Sequence, residues 1–451
     1  MRHVWAFAVR CTRGWAAVAV PCILASLSAC SAQHYVLNQP LKEHPGPAGY
    51  SIRNLERGGN TDSLNIVLAL SGGGFRAAAL SFAVMEVLHE TEITWDGHRT
   101  TLLDEVDFIS GVSGGALPAA YYGLHRDAFF TRFPAEVLFK DLQGHLVSRA
   151  ISPAGLWRQT SPRYGRGDLL QEVLDEEVFH GATFAELSRR RPMVYVNATD
   201  MRHGARFEFS QDQFDYLCSD LSSVPLARAV AASMAVPVVF SPITLWNYTD
   251  TCTVNLDLYK FDSDIGKARY IHLVDGGLAD NIGVRMPLEI ILSRGGIIEA
   301  TKQAGFRGVR KRVFILVNAQ LQPDFEEDSS PDTPGLVRQL RAAIDVPIDR
   351  YSSDSVSLLR SAVGRWKAQI ADASDERLGD YISRGTEFHV IEVSLRDLPR
   401  EFRDLKSMAT SLRLTEAELE RMRAFVRASL SKNPEWQKLH GELHAHLVPL
   451  Q

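Results

Sequence analysis

Three apolar runs in this chain each stop at a reactive residue set among glycines, and that repetition limits the folds open to it. Residues 65–70 run into Ser71-Gly72-Gly73-Gly74-Phe75-Arg76, 106–110 into Gly111-Val112-Ser113-Gly114-Gly115, and 270–274 into Asp275-Gly276-Gly277. Short apolar runs alternating with helical stretches are the pattern of buried strands in a sheet covered by helices on both faces. Residues 193–198, 313–319 and 388–393 are further candidate strands. In parallel sheets of this kind, sites assemble beyond the carboxyl ends of the strands, so segments far apart in sequence are expected to meet at one edge.

Each ending has its own chemistry. GxSxG after a strand and before a small-residue helix is the pattern of a nucleophile elbow, in which Gly111 and Gly115 leave room for a tight turn and Ser113 is held exposed near a helix N-terminus. Consecutive glycines after a buried strand allow close backbone approach, so the N–H groups of Gly72, Gly73 and Gly74 can converge on a developing oxyanion. The GxGxxG and GxxxxGK[ST] spacings of nucleotide loops are absent. Arg76 adds a charge that either serves the same spot or pairs with a core carboxylate. Asp275, expected at a strand's carboxyl end, becomes a useful base if burial lifts its pKa.

GGGFR, GVSGG and DGG, in that order, resemble the oxyanion loop, nucleophile elbow and catalytic aspartate of the patatin-like phospholipases. Residues 196–200 and 227–237 are similar to supporting blocks of that family. The resemblance covers residues 65–277 and implies a three-layer α/β/α fold with a mostly parallel central sheet. It also implies a Ser113–Asp275 dyad without a catalytic histidine, no cofactor or calcium, and hydrolysis of fatty-acyl esters in phospholipids or other acyl lipids by an enzyme of the phospholipase A or lysophospholipase type. Two other readings use the same residues: an acyltransferase, and a lipid-tethered binding protein without turnover. A Ser-His-Asp triad is disfavoured, because strand alternation turns His272 away from Asp275 and His389 lies within a strand.

The N-terminus reads as an export signal. Arg2, Arg10 and Arg13 precede an apolar run over 14–27, too short to span a bilayer, and Leu27-Ser28-Ala29-Cys30 resembles the lipobox of bacterial lipoproteins. The expectation is a signal peptide over 1–29, a lipidated Cys30 and a tether over 30–63, with Ser31 favouring the outer membrane; the alternative is an ordinary signal peptide. After export, Cys218 and Cys252 remain as one candidate disulfide or two free thiols.

A catalytic domain is expected over 64–320 and a mainly helical region over 321–451, which either stands apart or completes the sheet through 388–393. Thr415 and Glu418 form a capping box ahead of an amphipathic helix. The formal charge of −5 argues against nucleic acid as a partner. No HExxH or paired-cysteine metal spacing occurs, and Asp262-Ser263-Asp264-Ile265-Gly266 lacks the closing glutamate of a calcium loop. Phe129, Phe130, Phe133, Phe139, Trp157 and Tyr164, interleaved with arginines, read first as a helical insert with a buried aromatic core and second as a lipid-facing surface.

Overall fold

The computed structural model describes residues 38–43, 46–252, 268–322, 331, 333–396, 398–408 and 412–448. The signal segment and Cys30 lie outside these residues, as does the stretch 262–266. The central sheet contains β1 (Leu64–Leu70), β2 (Val106–Val112), β3 (Met193–Asp200), β4 (Ala205–Glu208), β5 (Ile243–Trp246), β6 (Tyr270–Asp275), β7 (Val309–Asn318) and β8 (Ile382–Ser394). Helices around it include α1 (Gly74–Glu90), α2 (Ala116–His125), α3 (Leu142–Ile151), α4 (Pro153–Arg158), α5 (Arg166–Leu174), α6 (Leu226–Ser233), α7 (Gly277–Asp280), α8 (Leu336–Ala371), α9 (Glu416–Lys432) and α10 (Pro434–Glu442).

Alternation along β1 explains the layers. Ile66, Leu68 and Leu70 enter one hydrophobic core while Val67 and Ala69 enter the other, so the strand is buried on both faces and helices must cover both. The strand order is β8-β7-β1-β2-β3-β6-β5, with β4 attached to β3. From β8 through β3 the neighbours are parallel. Beyond β3 the sheet turns antiparallel: β6 runs against both β3 and β5, and β4 against β3. The fold is the expected α/β/α arrangement around a mixed sheet.

One expected boundary changes. The stretch 38–63 is not a free tether: Asn38 exchanges side-chain bonds with the backbone of Trp246 (2.8 and 2.9 Å), and Gln39–Pro40 pairs with Ser219–Asp220. Tyr50 is buried, its hydroxyl accepting the N–H of Val194 at 2.9 Å. Such packing rests on single side chains and leaves no hydrophobic periodicity to read.

The region after 320 completes the sheet, as the reading of 388–393 as its strand expected. Parallel β8 extends the sheet beside β7, and α8 covers one face through Leu359, Trp366 and Ile370. On the other face α9 packs on α1, where Arg423 grips Glu86 with bonds of 2.7 and 2.5 Å. The capping box of α9 forms between Thr415 and Glu418. Cys218 and Cys252 are joined in a disulfide with a Cα separation of 5.7 Å.

Candidate active site

β2 delivers Ser113 to the edge formed by the carboxyl ends of the parallel strands. The serine has φ 49°, a left-handed conformation uncommon for a non-glycine residue, and it opens a single turn that leads into α2. Crowding enforces the turn: a Cβ on Gly114 would lie 2.0 Å from the carbonyl oxygen of Gly74, and one on Gly115 2.4 Å from that of Leu70. The N–H of Ser113 donates to Ser233 Oγ at 2.7 Å, and that hydroxyl donates to the carbonyl of Asn197 at 2.6 Å. Asn197 Nδ2 donates in turn to the carbonyl of Gly111 at 3.1 Å. The strained backbone is therefore held from β3 and α6 as well as by its own helix.

Asp275 arrives from the opposite direction. Because β6 is antiparallel to β3, it descends from beyond the edge and ends with Asp275 opposite Ala198, while the neighbouring Asn197 pairs with Val112. The expected placement at the end of a parallel strand is thus corrected; the short length of β6 brings the carboxylate level with Ser113. Asp275 Oδ2 accepts the Ser113 hydroxyl at 2.8 Å, and Oδ1 accepts the N–H of Gly277 at 2.8 Å. Its backbone N–H donates to the carbonyl of Ala235 at 2.9 Å, and its carbonyl accepts Thr199 Oγ1 at 2.8 Å. Ser113 and Asp275 are only 8% and 4% exposed. Burial pushes the carboxyl up to about 6, against the lowering pull of the Gly277 N–H and the Ser113 hydroxyl.

The glycine loop sits across from them. A Cβ on Gly72 would meet Asn281 Oδ1 at 2.3 Å and Ser113 Cβ at 3.2 Å, so the loop backbone lies directly against the serine. Residues 68–288 match the family model described as patatin-like phospholipase.

This segment is a patatin-like phospholipase domain.

Among solved structures, the chain is similar to human GIVD cytosolic phospholipase A2, at 14% identity and a TM-score of 0.35, over 60% of this chain and 50% of that one. It is also similar to VipD from Legionella pneumophila, at 12% identity and a TM-score of 0.25, over 82% of this chain and 67% of that one. The chain thus spans half the length of the human phospholipase. A search of curated protein sequences finds no match.

Within the patatin-like domain, the four residues assigned to an oxyanion hole divide. The N–H of Gly72 already donates to the carbonyl of Asn281 at 3.0 Å, so it is removed from the donor set. Gly73, with φ of 136°, caps α1 and Gly74, with φ of 62°, begins it, and the first amides of a helix have no acceptor inside it. Neither makes another backbone hydrogen bond among the described residues. Arg76 forms no ion pair with a carboxylate among the described residues: Nε donates to the carbonyl of Ala319 at 3.2 Å and Nη1 to that of Met408 at 3.4 Å. It ties the loop to the end of β7 and to the C-terminal region.

Asn281 is the site residue that sequence reading missed. Its carbonyl holds Gly72, and its side-chain oxygen lies where Cβ atoms on Gly72 and Gly277 would fall, so it locks the glycine loop to the turn after Asp275. Its position six residues after Asp275 was the available signal, but an asparagine near a turn is ordinary.

The histidines stand elsewhere. His272 meets Thr244 Oγ1 at 3.0 Å, and His389 is buried beneath α10 within 3.2 Å of Glu442. Among the described residues, no histidine bonds either Ser113 or Asp275. The aromatic insert also divides, since Phe129, Phe133 and Tyr164 are core residues whereas Trp157 is exposed.

Proposed function

We propose that this chain is a serine acyl hydrolase of the phospholipase A or lysophospholipase type, working through a Ser113–Asp275 dyad. The observation that carries the reading is the 2.8 Å bond from the Ser113 hydroxyl to a buried carboxylate, beside a glycine loop with open amides. An aspartate raised to about 6 is ionised at neutral pH yet basic enough to share the serine proton in the transition state.

In the first half-reaction, Ser113 Oγ bonds to the carbonyl carbon of the ester and its proton moves to Asp275 Oδ2. The charge that develops on the carbonyl oxygen faces the N–H groups of Gly73 and Gly74, helped by the positive end of α1. Collapse breaks the bond to the alcohol half of the lipid, which leaves with the proton from Asp275. In the second half-reaction, water gives a proton to Asp275, attacks the acyl-enzyme and releases fatty acid, and the proton returns to Ser113. Gly277, donating to Oδ1, keeps Oδ2 turned toward the serine.

A serine-directed fluorophosphonate probe is expected to label the chain, and Ser113→Ala to abolish labelling. Incubation with a defined phospholipid panel should release free fatty acid. Labelling that persists in the alanine variant defeats the dyad, and transfer of the acyl group to added alcohols in preference to water defeats the hydrolase assignment.

The lipobox-like Leu27-Ser28-Ala29-Cys30 supports a second proposal, export as an outer-membrane lipoprotein anchored through Cys30. Cys30→Ser is expected to move the protein from the membrane fraction to the soluble fraction.

A further inference from the structure

Several of the most exposed apolar side chains stand at the edge of the sheet that holds Ser113. α8 runs antiparallel to β8: near its middle Ser353 meets Arg396, just past the end of β8, and at its C-terminus the carbonyl of Ala371 accepts Arg384 near the start of that strand. Asp349 of α8 is bonded by Gln320, two residues past the end of β7. Residues 336–348 therefore project beyond the edge, by about 20 Å at helical rise. Leu336 (71% exposed), Leu340 and Val346 lie on this free end.

A second apolar point flanks the dyad from the other side. Val238 and Val239 are 63% and 52% exposed, three and four residues past Ala235, whose carbonyl holds the N–H of Asp275. Val238 has φ 72°, a conformation a β-branched residue adopts only under constraint, and its carbonyl is held by exposed Arg166 at 2.7 Å. Val238 is thus both strained and turned largely to solvent.

The chain's entry point is on the same side. Tyr270 pairs with Trp246 three residues before Leu273 meets Asp200, the last residue of β3, so Trp246 stands beyond that edge. Asn38 is bonded to Trp246, and Cys30 is only eight positions earlier in the chain, a reach of at most about 28 Å.

We propose that this edge is a bilayer-docking face, with the free end of α8 and the Val238–Val239 turn entering the lipid interface on either side of the dyad. The proposal rests on reading the domain as a lipid acyl hydrolase. A bilayer fits better than a second protein, because the two apolar points straddle the dyad and Asn38, the first described residue, stands at the same edge. Exposed Arg166 and Arg350 next to them suit lipid phosphates.

The test uses the full chain carrying Cys30→Ser, so that no acyl anchor contributes, with and without Leu336→Asp and Leu340→Asp together. Three measurements are made: sedimentation of a Ser113→Ala background with vesicles of equal parts phosphatidylcholine and phosphatidylglycerol, fatty-acid release from those vesicles, and hydrolysis of soluble p-nitrophenyl butyrate. The expected result is at least a tenfold fall in sedimentation and vesicle hydrolysis with butyrate hydrolysis and melting temperature unchanged. Unchanged vesicle binding and hydrolysis overturn the docking face while leaving the hydrolase intact. A change only in oligomeric mass on gel filtration also overturns it, in favour of self-association. If the parent hydrolyses neither substrate but its sedimentation still depends on the two leucines, the hydrolase reading falls and the docking face stands.

Discussion

Ser113 and Asp275 meet at one point but reach it by different physical routes. The serine's turn is shaped by its own neighbourhood, a parallel strand, a glycine turn and a helix contained in residues 106–125, then clamped where Gly114 and Gly115 touch Gly74 and Leu70 and backed by Ser233 and Asn197. The aspartate is set by remote partners, since β6 has no tight elbow of its own. Its level comes from antiparallel register with β3, and its main chain is held by Ala235 and Thr199. A hydroxyl placed by a tight local turn tolerates little change in that turn, whereas a carboxylate placed by register and distant bonds is open to adjustment of its environment.

The largest expected effect treats the two sides as equals. Ser113→Ala and Asp275→Asn should each lower kcat/KM on a soluble ester by about 10⁴-fold, and together by little more, because the residues act as one unit. An asparagine variant retaining a tenth of parental activity would mean that the base lies elsewhere.

Steric substitution should then separate the two sides. Gly114→Ala drives a methyl into the backbone of Gly74 and is expected to cost about 3 kcal/mol or more of stability, seen as a lower melting temperature. Gly277→Ala meets Asn281 Oδ1 at 2.9 Å and Asp275 Oδ1 at 3.0 Å, contacts that side chains can relieve. It should cost about tenfold in rate with a smaller stability loss. Equal melting temperatures for the two variants would erase the contrast.

The smallest effect is a pH profile that reads the aspartate side alone. Burial raises Asp275 to about 6, so the carboxyl is protonated below that value and cannot accept the serine proton. kcat/KM on the soluble ester should fall tenfold per pH unit below about 6 and level off above it. A midpoint near 4 would indicate a solvated carboxylate.

Much of the fold was legible because strands buried on both faces are written as apolar runs, and glycines mark where backbones approach. The positions of Ser113 and Asp275 at the ends of β2 and β6 follow from such runs. The direction of β6 was not legible, since an apolar run reads the same for parallel and antiparallel pairing. Nor was the loss of the Gly72 amide to Asn281, or the use of Arg76 as a tie to Ala319 and Met408, for these depend on chain segments that local pattern does not connect. The packing of residues 38–63 escaped notice because a polar, proline-containing segment can be held by a few long-range bonds without periodicity.

By itself the sequence determined which residues have the chemistry and the local shape of their turns, because a φ above zero and a missing Cβ are properties of a few consecutive residues. Only the tertiary structure decided that the hydroxyl and carboxylate come within 2.8 Å, which amides stay open, and which apolar side chains remain in water at that edge. Those outcomes depend on strand register, helix projection and competition among distant donors and acceptors, which are set when the whole chain packs.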